Sequence, residues 1–209
     1  MEYKICYATF DLETGGLAAD KNPVLEIAIV VMNHELEEIG EYTSLIKPYG
    51  DLVIQPQALQ ANGLTLEQLQ NAPDSGVVAK EIAAFLKKFK VGKDKPVLCG
   101  HNIDKFDIPF LDNYLAAHKV KLADLVNTDF TIDTMWWSRI KWTESPNYKL
   151  GTCVQRLGIE LVNAHRAVAD TRANHQMVKQ FLKLLRGQGS VEGGDNKSAP
   201  VRFRETFKI

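Results

Sequence analysis

The apolar run Ile5 to Phe10 ends in Asp11-Leu12-Glu13-Thr14 and then two glycines, and no other stretch restricts the fold as tightly. A strand places alternate side chains on one face, so Asp11 and Glu13 project from the same side about 7 Å apart. Two carboxylates aimed at one spot repel each other and lose hydration, which disfavours ionisation unless a cation or a shared proton intervenes. Gly15 and Gly16 let the backbone turn sharply and approach a ligand with no Cβ in the way. An acid pair opening onto a glycine turn meets the needs of a hard-metal site. The plainer reading is a strand that ends in solvated acids, and the rest of the chain has to decide between them.

At 209 residues the chain suits one domain with a proper core. The longest apolar run, Ile27 to Met32, is far too short to cross a bilayer, so no membrane role is expected. Met1-Glu2-Tyr3-Lys4 leads straight into a strand pattern with no charged-then-apolar leader, so no export is expected and the expected location is the cytoplasm. Cys6, Cys99 and Cys153 are odd in number and set among apolar neighbours. They read as buried free thiols in a reducing compartment, with no metal-binding spacing. A net charge of −1 neither announces nor excludes nucleic acid, because a carboxylate cluster can attract phosphate through its metals.

Residues 3–10, 24–33 and 36–47 read as three strands of an antiparallel meander, with turns at His34-Glu35 and Lys47-Pro48-Tyr49-Gly50. Pro56 suits a helix start and Gly63 its end, and Thr65 suits the N-cap of a second short helix with Leu66 and Leu69 on one side. An amphipathic helix is predicted over 77–90 through Val78, Ile82, Phe85, Leu86 and Phe89. A short buried strand follows at 96–99, then a helix over 104–118. A strand at 130–132 is capped by Asp133 before a Trp-rich helix, and helices over 150–157 and 167–185 finish the domain. This order implies a mixed sheet with helices on both faces. The Lys87 to Lys95 cluster reads as a solvated helix end. Residues 187–209 read as a flexible linker and short tail, which either packs on its own domain, frays, or docks a partner.

Two further acidic positions join the pair. Asp107 lies in Gly100-His101-Asn102-Ile103-Asp104-Lys105-Phe106-Asp107-Ile108-Pro109-Phe110-Leu111, and Asp170 follows His165 by five residues in Ala164-His165-Arg166-Ala167-Val168-Ala169-Asp170. Together with Phe10-Asp11-Leu12-Glu13-Thr14-Gly15-Gly16-Leu17, these segments resemble the three motifs of the DEDDh (DnaQ-like) 3′–5′ exonucleases, in the family's order and spacing over residues 3–186. Two departures stand out. The middle motif holds one extra residue and offers Asp104 as a rival to Asp107, with a helix N-cap as its plainer role. Asn62 also stands where the family often has His.

The resemblance implies an α/β domain of the ribonuclease H-like type, with a mixed five-stranded sheet, over residues 1–186. It implies that Asp11, Glu13, Asp107 and Asp170 hold two Mg²⁺ or Mn²⁺ ions, about 3.5–4 Å apart in sites of this kind. Asp11 would bridge them, Glu13 and Asp170 would complete the ion that activates water, and Asp107 would orient the other. His165 would be the general base, its ordinary pKa of about 6.5 lying near working pH; in isolation, such a His reads as a structural side chain. Thr14 and Gly15 would offer backbone groups to the terminal nucleotide, Leu17 would wedge beneath the last base, and Asn62 and Phe106 would contact the substrate. A core role is open for Phe106, and His101 reads as a structural residue beneath the site.

Met135-Trp136-Trp137-Ser138-Arg139-Ile140-Lys141-Trp142 interleaves aromatics with cations, a combination used to stack single-stranded bases. Adjacent helical residues point about 100° apart, so Trp136 and Trp137 cannot both face the core equally. The function implied is metal-dependent release of nucleoside 5′-monophosphates from the 3′ end of single-stranded nucleic acid, DNA-directed, of the proofreading or repair type. A polymerase or repair assembly would then be a partner through the tail. An RNA-directed trimming enzyme is the alternative, and a non-cutting binding module on the same fold is a further one.

Overall fold

The structure, a computed structural model, describes residues 5–161 and 166–188. Strands β1 (Tyr7–Thr14), β2 (Val24–Met32) and β3 (Glu38–Leu45) form the expected antiparallel meander. β1 runs on through the acid pair instead of ending at Phe10, because Asp11, Leu12 and Glu13 continue to pair with Ala28, Ile27 and Glu26. β4 (Val97–Gly100) and β5 (Asn127–Asp133) add in parallel, giving the order β3-β2-β1-β4-β5. The sheet is five-stranded and mixed, as the resemblance implied.

Among the described residues seven α-helices pack around it: α1 (Pro56–Asn62), α2 (Leu66–Gln70), α3 (Ser75–Lys87), α4 (Asp107–Ala117), α5 (Thr134–Lys141), α6 (Leu150–Arg156) and α7 (Ala167–Leu185). Local chemistry explains most of their ends. Gly63 closes α1 in the left-handed region at φ 68°, and Thr65 and Gln68 form a reciprocal capping box on α2. The helix expected over 77–90 starts two residues earlier, since the Asp74 carboxylate accepts from the Gly76 and Val77 N–H groups. It stops at Lys87, where the chain tightens into a turn. Leu66 is exposed and does not share the buried side of α2 with Leu69.

Strand alternation divides the core. Ala8, Phe10 and Leu12 join Ile27, Ile29 and Val31 against Val78, Ile82 and Phe85 of α3 and Phe110 and Tyr114 of α4. Tyr7, Met32, Val97, Cys99 and Ile132 face the other way, against Val178 and Leu182 of α7. Helices therefore cover both faces. The odd-numbered residues of β1, including Asp11 and Glu13, point to the α7 side.

β5 bulges. Val97 pairs with Asn127 and Cys99 with Ile132, so three residues of β5 stand out of register and Phe130 is exposed. Cys6, Cys99 and Cys153 are buried free thiols, as expected. Among the described residues no helix is long and apolar enough to cross a membrane. The expected tail lies outside the described residues from 189 onward.

Candidate active site

Two carboxylates come from β1 and a third from the first turn of α7. Oxygen atoms of Asp11, Glu13 and Asp170 all lie within 4.8 Å of one another, and each residue is half-buried. The packing of α7 across β1 brings them together. Ala167, Thr171, Asn174 and Val178 are its buried face, and the Thr171 hydroxyl donates to the Ala28 carbonyl at 3.3 Å. Asp170 begins that helix, so it looks back at the strand.

Asp107 approaches from the opposite edge of β1. The parallel ladder with β4 stops at the Thr9–Cys99 pair, and beyond it Oδ1 of Asp107 accepts from the Leu12 N–H at 3.2 Å. Asp107 is buried and its charge is felt at Asp11 and Glu13. The rival Asp104 is elsewhere. α4 begins at Asp107, not at Asp104, and Phe106 occupies the N-cap position. The Asp104 carboxylate accepts instead from the Thr131 hydroxyl of β5 at 2.5 Å, so the expected capping role is replaced by a cross-link to the neighbouring strand. Between β4 and α4 the chain makes a turn in which Asn102 adopts φ 65°, its N–H donating to the Asp133 carboxylate.

Crowding shows in the titration of these acids. Burial, followed by repulsion from Asp107, Asp170, Glu13 and Glu26, holds the Asp11 carboxyl well above the usual range. Burial, then Asp170, Glu26 and Asp107, pushes Glu13 up to about 8, with Arg166 pulling it back. Burial raises Asp107 to about 7 against the opposing hydrogen bond from Leu12. An all-oxygen donor set that resists ionising by itself fits a small divalent cation, whose charge removes the repulsion.

A fifth acid, Glu26, escaped the sequence reading. It is buried on β2 opposite Glu13, and Arg166 binds it at 2.8 and 3.1 Å while the Ala167 N–H adds a third contact at 3.3 Å. A lone charge inside the apolar run Val24–Met32 was the available signal, since a buried carboxylate requires a partner. Glu26 thus accepts from the first N–H of α7 and holds its N-cap residue, Arg166. His165 itself, the expected general base, lies outside the described residues.

The expected substrate residues divide. Leu17 stands 82% exposed at the loop after β1. Phe106 is half-buried, its ring 5.0 Å from that of Phe110. Thr14 is buried, its hydroxyl donating to the Gly16 carbonyl at 2.7 Å. The Gly15 N–H donates to the Pro23 carbonyl at 2.8 Å and the Gly15 carbonyl accepts from the Gln55 N–H at 2.7 Å. Both groups tie the turn after β1 to the rest of the chain. The missing Cβ atoms also make room for the loop's own return, since a Cβ on Gly15 would stand 2.8 Å from Pro23 and one on Gly16 2.5 Å from Asn22. Asn62 is buried as well, accepting from the Leu64 N–H at 3.0 Å and reaching the Thr14 carbonyl at 3.5 Å, which makes it a brace under β1. His101 behaves as expected. Its Nε2 donates to the Tyr148 carbonyl at 2.7 Å, its Nδ1 meets the Thr134 hydroxyl at 3.0 Å, and burial lowers its pKa.

With this geometry in place, the family is decided by a match over residues 9–178 to the model of the RNase_T exonucleases. The chain belongs to the RNase_T exonuclease family. The chain is 30% identical over 177 residues to the DNA polymerase III PolC-type protein of Bacillus subtilis, a stretch that covers 85% of this chain and 11% of that protein. It superposes on E. coli Exonuclease I in complex with a dT13 oligonucleotide with a TM-score of 0.73 at 22% identity, over 86% of this chain and 41% of that one. A zinc-bound form of the same E. coli enzyme with single-stranded DNA gives 0.75 at 21% identity, over 89% and 42%. These superpositions establish a shared fold. The chain spans about a tenth of the length of the PolC-type relatives it matches.

Proposed function

We propose that this exonuclease hydrolyses phosphodiester bonds at DNA 3′ ends and releases nucleoside 5′-monophosphates with the help of two Mg²⁺ or Mn²⁺ ions. The observation that carries the reading is the convergence of Asp11, Glu13 and Asp170 from the first strand and the last helix. A module that only bound nucleic acid would have no need to crowd carboxylates against their own repulsion.

Asp11, Glu13 and Asp170 would hold the cations, with Asp107 completing the set from the other edge of β1. Bound there, the cations would polarise the scissile phosphate and ease deprotonation of a water. His165 would accept that proton; this assignment rests on the motif, five residues ahead of Asp170. Leu17 would stop the terminal base, and Phe106 would pack beside it. Thr14 and Asn62 would act from beneath by fixing the end of β1.

The DNA assignment draws on the relatives: the PolC-type protein is named a DNA polymerase, and Exonuclease I was solved with a DNA oligonucleotide. A polymerase or repair assembly is the partner this implies, and the three free thiols suit the cytoplasm. The test is one assay on labelled single-stranded DNA, duplex DNA and RNA, with Mg²⁺, Mn²⁺ or Zn²⁺ and with chelator. Mononucleotide release from DNA that requires a cation and vanishes in Asp11→Ala is the expected result. Unchanged release by that variant would overturn the mechanism, and faster release from RNA would overturn the DNA assignment.

A further inference from the structure

The parallel strands β1, β4 and β5 all end on the side of the sheet where the acids gather, and in sheets of this kind ligands lie along the carboxyl ends of such strands. β1 delivers Asp11 and Glu13 there, the segment after β4 delivers Lys105 and Asp107, and β5 runs directly into α5. Trp136 is on the first turn of α5. Its neighbour Trp137 is in the core, edge-on to Phe181 with ring centroids 5.4 Å apart, whereas Trp136 is 45% exposed. Two cations attend the exposed ring: Lys105 Nζ at 5.6 Å from its centroid and the Arg139 guanidinium at 5.5 Å. Arg139 is in turn 5.0 Å from the Tyr148 ring, so its position is set from two sides.

We infer that Trp136, with Lys105 and Arg139, is a stacking and phosphate-binding platform for nucleotides upstream of the 3′ end held at the acid cluster. This inference rests on the exonuclease reading and adds a substrate preference to it. Two arguments identify the occupant as a single strand of nucleic acid. An exposed indole offers a π-face that accepts any base, and two cations beside it suit the phosphates that flank that base. The place fits as well. β5 is two strands from β1, roughly 10 Å across the sheet, a span that about three stacked nucleotides cover. The acids beside the platform are engaged elsewhere: Asp104 accepts from the Thr131 hydroxyl, Asp133 from the Asn102 and Met135 N–H groups, and Asp107 from the Leu12 N–H. A substrate needs a single-stranded end long enough to reach from the cluster to α5, which makes tail length a determinant of affinity.

The experiment compares a single-stranded DNA of about ten residues with the p-nitrophenyl ester of thymidine 5′-monophosphate, which has no upstream nucleotide to place on the platform. Trp136→Ala is expected to raise KM for the strand about tenfold, in line with measured base–aromatic stacking, with kcat little changed. Hydrolysis of the ester, the internal reference for folding and chemistry, is expected to stay within about twofold. Trp136→Phe keeps a ring and is expected to restore most of the affinity. Arg139→Ala is expected to make strand binding less sensitive to salt. An unmoved KM, or a parallel loss on strand and ester, overturns the proposal. So does a change in sedimenting mass in Trp136→Ala, which would show that a second copy covers the indole. If the wild-type protein cleaves neither substrate, the exonuclease reading has failed separately. Strand binding, read as fluorescence quenching lost in Trp136→Phe, then still decides the platform.

Discussion

The guanidinium of Arg166 meets the carboxylate of Glu26 through two bonds, Nε to Oε2 at 3.1 Å and Nη2 to Oε1 at 2.8 Å. The two partners are unequal: the Glu26 side chain is 4% exposed and that of Arg166 44%. Removing the arginine would therefore strand a buried charge next to Glu13 and Asp11, whereas removing the glutamate would leave a cation that water can reach.

Arg166→Ala is expected to cost about 2–3 kcal/mol of stability, toward the lower end for loss of one partner from a buried pair because the arginine is half-exposed. Glu26→Gln, which keeps the shape and one acceptor, is expected to cost about 1 kcal/mol. Urea unfolding of both variants checks the order. Equal losses would mean that Glu26 is better hydrated than its burial indicates.

The raised acids predict an inverted pH dependence for the cation-free protein. Glu13 at about 8 and Asp107 at about 7 in the fold stand above their ordinary values of 4.5 and 3.8. The folded chain therefore binds more protons than the unfolded chain between those limits, and stability falls as pH rises through the window. Thermal unfolding in chelator is expected to give a lower Tm at pH 8 than at pH 5.5. Added Mg²⁺ or Mn²⁺ is expected to raise Tm most at the alkaline end. A chelated protein more stable at pH 8 would contradict this.

Gly16→Ala is expected to damage the loop after β1. The new methyl group would fall 2.5 Å from the Asn22 amide, which accepts from the Ala18 N–H at 2.9 Å and donates to the Val53 carbonyl at 2.7 Å. Asn22 is buried, so displacing it leaves polar groups unpaired at a cost of about 1–3 kcal/mol. Differential scanning calorimetry measures that loss. Because Leu17 rides on the same loop, KM for an oligonucleotide is expected to rise as well.

Asp104 and Asp107 can be separated by paired substitutions. Asp107→Asn is expected to reduce turnover by at least a hundredfold, as removal of one charge from a cation site does. Asp104→Asn, which alters only the bond to Thr131, is expected to leave turnover within about twofold and cost less than about 1 kcal/mol of stability. Steady-state kinetics on single-stranded DNA distinguishes them, and a large loss in Asp104→Asn would reopen the assignment.

Features governed by near neighbours were legible in the sequence. Thr65, Gly63 and Asp133 announce helix ends through bonds to residues two to four positions away, and each performs that task in the fold. The acids were legible because motif order supplied what distance along the chain conceals. Asp104 misled for the same local reason: its capping propensity was visible, whereas Thr131, on another strand, was not. Glu26 could be seen as a misplaced charge, but its partner lies 140 residues away. The glycines after β1 signalled a close approach correctly. What approaches them, Pro23 and Asn22 of the same loop, depends on how that loop returns.

Asp11 and Glu13 come from the opening strand and Asp170 from the closing helix. During synthesis Asp11 and Glu13 leave the ribosome long before Asp170 does, and a nascent chain carries only part of the acid cluster. The three-acid grouping can therefore form only once α7 has docked across β1, so the order of synthesis sets the earliest moment at which the cluster exists.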